Sequence, residues 1–276
     1  KTAMTSDHEN DAAVKSIRSI WAAARQLRQV WANGELCQPV REIIGEEDVD
    51  AGYAVQNLNT AQWQADGRQL VGRKIGASSQ AIQEMMGVDH PNYGMLFADM
   101  QVENGATIPC SSLHQPFVEA EMAVVLKYDL KNLETSMDDV AEAIDYVVPA
   151  IEIIGSRIQG WDVRMPDTIA DNASSSHFVI GPNPVGIEDV DVFGAVTSTY
   201  KNGDVASQGN AEICLGSPLF ALIWLATEAR RRRKPLKAGE LILTGAMGPI
   251  VPVQAGDQIR VEIDGFEDLS VSFGAD

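Results

Sequence analysis

Cysteine, histidine and positive charge are all scarce in this chain. Three cysteines (Cys37, Cys110, Cys214) stand far apart in 276 residues, with no CxxC spacing. Neither a disulfide framework nor a zinc knuckle is indicated, and a reducing cytoplasm is the expected compartment. The four histidines (His8, His90, His114, His177) have no evident nucleophile partner. Lys and Arg total 21 against 39 Asp and Glu, a formal net charge of −18, which repels nucleic acid and anionic membranes. The one basic run, Arg230 to Lys234, closes a predicted helix, where cations complement the carbonyl end of the dipole. No apolar run approaches the roughly 18 residues of a membrane span, and "KTAMTSDHEN" has no signal-peptide apolar region. Met4 reads as the natural start, with Lys1 to Ala3 a remnant ahead of it. GxSxG, P-loop and GxGxxG motifs are missing as well, which argues against a serine hydrolase, a kinase-type NTPase or a Rossmann dehydrogenase. An acidic protein that handles a small acidic substrate needs a local positive centre, and a bound divalent metal would supply one.

What is present divides into a helical first quarter and a β-rich remainder. Val14, Ile17, Trp21, Leu27 and Trp31 recur at near-helical spacing, and Asn33-Gly34 is a stop signal. A second helix is expected from Val49 to Gln64, with Val55, Leu58 and Trp63 as apolar contacts. From about Gln69 short apolar strands take over: "QLVGRKIG", "FVEAEMAVVL", "YVVPAIEII", "SSSHFVIG", "GAVTSTYKNGDVASQG", "ELILTG" and "DQIRVEIDGFEDLSVSF". Asn202-Gly203 and Asp264-Gly265 sit between strand-like runs and predict hairpin turns. Three helices interrupt the strands. Residues 79–86 are capped by serine and stopped by Gly87; residues 136–146 open on a Ser136/Asp139 capping box; a third starts at Ser217-Pro218. Strands with inserted helices, without regular βαβ alternation, predict an α+β fold on a rolled or barrel-like sheet. The division expected is a helical portion over 1–68 and a β-roll domain over 69–276.

The chemistry concentrates on glutamate. In "PFVEAEMAVVL" strand alternation puts Glu119 and Glu121 on one face with Phe117, Ala123 and Val125, while the other face is wholly apolar. This is either a wet patch on a half-buried strand or a pair of hard oxygen ligands aimed at a cation. Glu152 is the only charge in "VVPAIEIIG", and glutamate is seldom buried unless paired or bound to metal. A salt bridge to Arg157 or Arg73 is the alternative to a third ligand. Three carboxylates suit Mg²⁺ or Mn²⁺ with positions left open, and the lack of nearby histidine or cysteine disfavours zinc. Lys74 in "GRKIG" has Gly72 and Gly76 on its own strand face, which would let a ligand approach the ammonium, though a surface Arg-Lys pair fits too. Asp99 in "GMLFADM", the serines of "DTIADNASSSHF" and Thr244 with the following amides in "LILTGAMGP" are single weak candidates for the same cleft.

Taken together these segments resemble the fumarylacetoacetate hydrolase superfamily, and within it the 2-hydroxypenta-2,4-dienoate (2-oxopent-4-enoate) hydratases of aromatic meta-cleavage pathways. The resemblance runs from about Asp48 to the C-terminus. "GRKIGASSQAIQEMMGV", "PNYGMLFADM", "QPFVEAEMAVVL", "VVPAIEIIGSRIQGW", "DTIADNASSS", "LGSP" and "LILTGAMGP" carry it. It implies a mixed-sheet roll with an N-terminal helical portion, homo-oligomers, and Mg²⁺ or Mn²⁺ held by Glu119, Glu121 and Glu152. It implies Lys74 and Asp99 as the acid/base groups, with Ser174, Thr244 and Gly245 at the substrate carboxylate or pocket wall. A 2-hydroxy-2,4-dienoate would be ketonised and then hydrated to a 4-hydroxy-2-oxo acid. The nearest rival is 4-oxalocrotonate decarboxylase of the same superfamily, which shares the metal site and the "ADNASS" loop. A C–C bond hydrolase would need a histidine–acid base that only His114 offers. A non-catalytic subunit associated with a decarboxylase or aldolase of the pathway is the reading from a different class.

Overall fold

The structure is a computed structural model that describes residues 4–86, 88–132 and 134–275, with the backbone alone described for 4–15 and 86. Lys1 to Ala3, the Val14 side chain and the Gly87 stop signal lie outside what is described. Three helices open the chain, α1 (Met4–Asn33), α2 (Arg41–Ile44) and α3 (Val49–Ala65). β1 (Leu70–Gly76), α4 (Gln80–Met86), β2 (Asn92–Phe97), β3 (Thr107–Pro109) and β4 (Phe117–Leu126) follow. Next come α5 (Met137–Ala143), β5 (Ile144–Ile154), α6 (Met165–Ala170) and β6 (Ser175–Ile180). The hairpin of β7 (Val196–Lys201) and β8 (Asp204–Asn210) leads to α7 (Pro218–Arg231). β9 (Leu241–Ala246), β10 (Val251–Pro252), β11 (Gln258–Ile263) and β12 (Leu269–Gly274) come last.

Local chemistry accounts for most boundaries. Helix α1 ends at Asn33, followed by Gly34 at φ 77°, as the stop signal predicts. Its buried stripe is Ala23, Ala24, Leu27 and Val30, whereas Ile17 and Trp21 are 56% and 52% exposed. The alanines, too small to mark a stripe by hydrophobicity, win the inner face because they let the helix approach closely. The Asp48 side chain caps α3 by accepting from Ala51 N (2.8 Å). The Ser136/Asp139 capping box opens α5, which stops at Ala143 because Ile144 enters β5 and buries its side chain there. In α7 the Ser217 hydroxyl accepts from Leu219 N, and Leu219, Leu222 and Ala226 are buried. The segment Ala211–Arg231 has a mean hydropathy of 1.3 over 18 residues, enough by composition to pass as a membrane span. Its buried residues instead join the main core.

Asn202 and Gly203 (φ 55° and 91°) form the expected tight turn between β7 and β8. Asp264-Gly265 does not: it begins a longer connection between Ile263 and Leu269, with the Asp264 carboxylate accepting from Val196 N. Strand β2 is wholly buried and was hidden in the sequence by Asn92 and Gly94, residues that read as turn formers. Gly94 is needed there because a Cβ would stand 2.2 Å from Asn172 O.

The strands form two mixed sheets, one in the order β2-β1-β9-β4-β5-β6 with β10 beside β4, the other β3-β12-β11-β7-β8. The first sheet curls strongly. In a flat sheet β1 and β5 would lie three strand spacings apart, about 14 Å. Yet Lys74 Nζ on β1 comes within 3.1 Å of Glu152 Oε1 on β5. The edges also approach: Val102 N, in the chain after β2, donates to Phe178 O on β6 (2.9 Å). This is the barrel-like roll expected from the sequence. Helices α1 and α3 pack with α6 and the segment after β5 through a small second core of Ala23, Ala24, Leu27, Val40, Val55, Ile158 and Ala170.

Candidate active site

On the concave face of the curled sheet, β4 presents Glu119 and Glu121, and antiparallel pairing sets Glu119 directly opposite Glu152 of β5. One oxygen from each of the three lies within 4.8 Å of the others. Like charges facing each other across strands destabilise a sheet, and here Glu121 and Glu152 are fully buried. Glu121 Oε2 accepts from Gly245 N (2.8 Å), but Glu121 Oε1 and both Glu152 oxygens have no hydrogen-bond partner. Burial, partly countered by Lys74, raises the Glu119 carboxyl to about 7. Burial and the charges of Glu152 and Glu119 push Glu121 well above the ordinary carboxylate range.

Lys74 is the cation among them. Its Nζ donates to Ala173 O (3.0 Å) and forms an ion pair with Glu152 (3.1 Å) that is not aligned as a hydrogen bond. Burial opposes its charge, but the three carboxylates outweigh burial and raise its pKa. The two alternatives for Glu152 are both taken elsewhere, Arg157 by Asp171 and Arg73 by Glu240. Two buried carboxylates and the half-buried Glu119 against one ammonium leave negative charge that no second cation among the described residues pairs with. The donor set is hard oxygen, with acceptor capacity unspent, and fits a divalent cation of the magnesium or manganese type.

Beside the cluster is a cavity of about 540 Å³. Lys74, Asn92, Glu119, Thr168 and Ser174 line its polar side. Asn92 Oδ1, Thr168 Oγ1 and Ser174 Oγ are buried without hydrogen-bond partners. Ser174 ends a run of three left-handed residues, Asn172 (φ 55°), Ala173 (52°) and Ser174 (59°), a conformation that costs energy for non-glycine residues. Side chains hold the run in place. Asn172 bonds both N and O of Met95 (2.7 and 2.9 Å). Arg157 and Asp171 lock the preceding turn through Nε–Oδ1 (2.6 Å) and two backbone contacts, Arg157 N to Asp171 Oδ2 (2.9 Å) and Nη2 to Asp171 O (2.9 Å).

Comparison with known proteins places this architecture. The fumarylacetoacetate (FAA) hydrolase C-terminal family model matches residues 57–273. The chain belongs to the fumarylacetoacetate hydrolase family. It is 46% identical over 258 residues to 2-keto-4-pentenoate hydratase 1 of Dechloromonas aromatica (strain RCB), covering 94% of this chain and 98% of that one. It is also 46% identical over 251 residues to the TodF product hydratase of Pseudomonas putida, covering 91% and 94%. Among solved structures, 4-oxalocrotonate decarboxylase from Pseudomonas putida G7, complexed with magnesium and adipate, superposes with a TM-score of 0.90 at 34% identity, covering 93% and 97%.

In this member of the family the expected site residues separate into two groups. Lys74, Glu119, Glu121, Glu152 and Ser174 come together at the cluster and cavity. Asp99 does not join them: it is exposed on the turn after β2, gripped by the Arg68 guanidinium at 2.7 and 2.9 Å. Thr244 and Gly245 adjoin the cluster but are absent from the cavity wall. Thr244 Oγ1 donates to Met122 O (2.7 Å), which pins β9 to β4, and Gly245 contributes its N–H to Glu121. The open space expected around Gly72 is filled by the Leu241 backbone, and that at Gly76 by the Asn92 amide. His114 packs edge-on against Trp31 (5.8 Å), and burial and Arg157 lower its pKa. Asn92 and Thr168 join the cavity wall without having been among the expected site residues. Asn92 alone carried a signal, as the one polar side chain leading into an otherwise apolar "YGMLF".

Proposed function

We propose that this chain is a divalent-metal-dependent hydratase that converts a 2-hydroxy-2,4-dienoate to a 4-hydroxy-2-oxo acid in the meta-cleavage catabolism of aromatic compounds. One observation carries the reading: a cluster of three carboxylates, two of them fully buried with unpartnered oxygens, adjoins a cavity onto which Glu119 and the charged Lys74 open, in a chain 46% identical to a 2-keto-4-pentenoate hydratase. The decarboxylase alternative has the weaker support of a relative at 34% identity.

Glu119, Glu121 and Glu152 are assigned as the ligands of Mg²⁺ or Mn²⁺. Bound there, the ion would supply positive charge to a chelating 2-oxo carboxylate and offset the enolate charge that develops during reaction. The remaining work falls to the chain itself. Ketonisation moves a proton from the 2-hydroxyl to carbon five; hydration then adds water oxygen at carbon four and a proton at carbon three. Lys74, held protonated by its carboxylate neighbours and aimed by Ala173 O, is assigned as the group that gives and recovers these protons. The Ser174 hydroxyl donates to the substrate carboxylate. Asn92 Oδ1, a free acceptor at the cavity wall, orients the attacking water.

The test follows the disappearance of dienol absorbance from 2-hydroxypenta-2,4-dienoate with Mg²⁺, with product analysis. The expected product is 4-hydroxy-2-oxopentanoate without CO₂; release of CO₂, or full activity in chelator, overturns the assignment. Lys74→Met should lower turnover by about 10²- to 10⁴-fold, the usual share of acid–base catalysis. Asp99→Asn should leave it unchanged.

A further inference from the structure

The sheet that presents the carboxylates also grades the cavity from charged to apolar. One cross-strand pair beyond Glu119 and Glu152, in the same register and on the same face, Phe117 stands opposite Ile154. Two residues along paired strands is a step of about 7 Å. Both Phe117 and Ile154 line the cavity, and Trp161 and Val163 continue its wall. Trp161 is fixed there, its Nε1 donating to Gln115 O (3.0 Å) and its ring meeting Phe117 edge-on at 5.4 Å. Ile82 from α4 and Ile250 also line the cavity. Among the described residues that line the cavity, Lys74 is the one cation, and it is spent at the carboxylate end on Glu152 and Ala173 O.

Size points the same way. A cavity of about 540 Å³ falls in the roughly 300–1,000 Å³ range of sites for drug-sized ligands, far more than a five-carbon dienoate occupies. With the substrate carboxylate and 2-oxygen at the charged end, carbon five and anything attached to it reach the Phe117–Ile154 step.

We propose that the Phe117, Ile154, Trp161, Val163, Ile82 and Ile250 wall is a subsite for an uncharged alkyl or aryl substituent on carbon five, so that the chain selects extended monocarboxylic dienoates over dicarboxylic ones. This rests on the hydratase reading. Burying an alkyl group against these side chains is favourable for each methylene removed from water. A second carboxylate would lose its hydration there with no counter-charge to replace it.

The experiment compares kcat/KM of the Mg²⁺-loaded enzyme for 2-hydroxypenta-2,4-dienoate, its 5-methyl and 5-propyl homologues, and the dienoate bearing a carboxylate on carbon five. The alkyl homologues are expected to equal or exceed the parent, and the dicarboxylate to fall at least about 100-fold below it, the scale of an unpaired buried charge. Ile250→Arg supplies the missing cation, with Ile82→Arg as a second placement. Either should raise the dicarboxylate-to-propyl ratio tenfold or more, chiefly through KM. Equal use of dicarboxylate and alkyl substrates by the wild type, or an unchanged ratio in both folded variants, overturns the subsite. Calorimetric binding of saturated 2-oxo acids reads it without turnover. Affinity should rise about fourfold per added methylene from 2-oxobutanoate to 2-oxohexanoate and drop for 2-oxohexanedioate. If no dienoate is hydrated but this ladder appears, the hydratase reading falls and the subsite stands; a flat ladder removes the subsite alone.

Discussion

Two charged clusters, one fully buried and one that opens on the cavity through Glu119, lie at either end of the same stretch of chain, and they are built on opposite principles. At one, Arg157 meets Asp171 with one cation for one anion, and Arg157 Nη1 also donates to Ser175 O (3.0 Å). Side-chain and backbone donors are matched to acceptors. At the other, Glu152, on the strand that leads to Arg157, shares one lysine with Glu119 and Glu121 and keeps both oxygens free of hydrogen bonds. The first is complete without a ligand and holds the left-handed run that presents Ser174. The second is incomplete, and its deficit is of the sign and hardness that a divalent cation fills. Burial alone does not separate structural from functional charge; the balance of charge and of hydrogen bonds does.

Substitution at the two clusters should therefore have opposite signatures. Glu121→Gln is expected to give the largest effect. Loss of a ligand removes several kcal/mol of charge stabilisation, about 10³-fold or more in kcat/KM, with a matching loss of Mg²⁺ affinity by calorimetry. In metal-free protein the same change removes one buried, uncompensated charge, so the melting temperature should rise or hold. A Glu121→Gln variant with wild-type metal affinity would break the distinction between the clusters.

Asp171→Asn should do the reverse. The guanidinium of Arg157 would remain buried without its counter-charge, a loss of about 3–5 kcal/mol in stability, measured by urea denaturation. The loss should be similar with and without Mg²⁺, because the pair does not contact the carboxylate cluster. At Arg41, which pairs with Asp167 (2.7 Å) and also with Asp162 (2.9 Å), Asp167→Asn should cost less, because Asp162 keeps a counter-charge on the guanidinium.

The sequence makes one cluster legible and hides the other. Glu119, Glu121 and Glu152 stand out because period-two alternation and apolar flanks force them inward, and a charge in such a context demands a partner. Lys74 is readable for the same reason. Nothing comparable marks Arg157–Asp171, whose residues sit in polar loop segments where charge is ordinary. The same physics explains why two expected residues stand apart from the cavity. Asp99 follows an apolar run as Glu152 does, but it lies past the end of β2, where the backbone turns outward and Arg68 waits. Thr244 sits beside the cluster in space, yet the pairing of β9 with β4 points its hydroxyl at Met122 O. Position along a strand is written in the pattern; what a neighbouring strand offers to each side chain is set by the curl of the sheet, which no local pattern contains. The curl also brings Asn92 to the cavity from a strand that its own asparagine and glycine had disguised.

The smallest expected effect is one of pH, and it isolates the unbalanced cluster from everything else. The Glu119 carboxyl rises from an ordinary 4.5 to about 7 in the folded protein, through burial less the opposing charge of Lys74, and Glu121 rises too. Between those values the folded metal-free chain holds more protons than the unfolded chain, so its stability falls as pH rises from about 4.5 to about 7. Lys74 adds no slope in that window: its raised pKa stabilises the fold below its ordinary value of 10.5 and is lost only at higher pH. A bound divalent ion requires the carboxylates ionised, so its affinity and its stabilising effect grow over the same window. The quantity to measure is the gap in melting temperature between Mg²⁺-loaded and metal-free protein at a fixed ion concentration, from about pH 5 to about pH 8. Contributions from Arg157–Asp171 and the surface pairs cancel in that difference. The gap should widen by a few degrees as pH rises through about 7, and in Glu121→Gln it should collapse. A gap that is constant across the range would mean that the three carboxylates are already ionised and balanced without metal, and would erase the contrast between the two clusters.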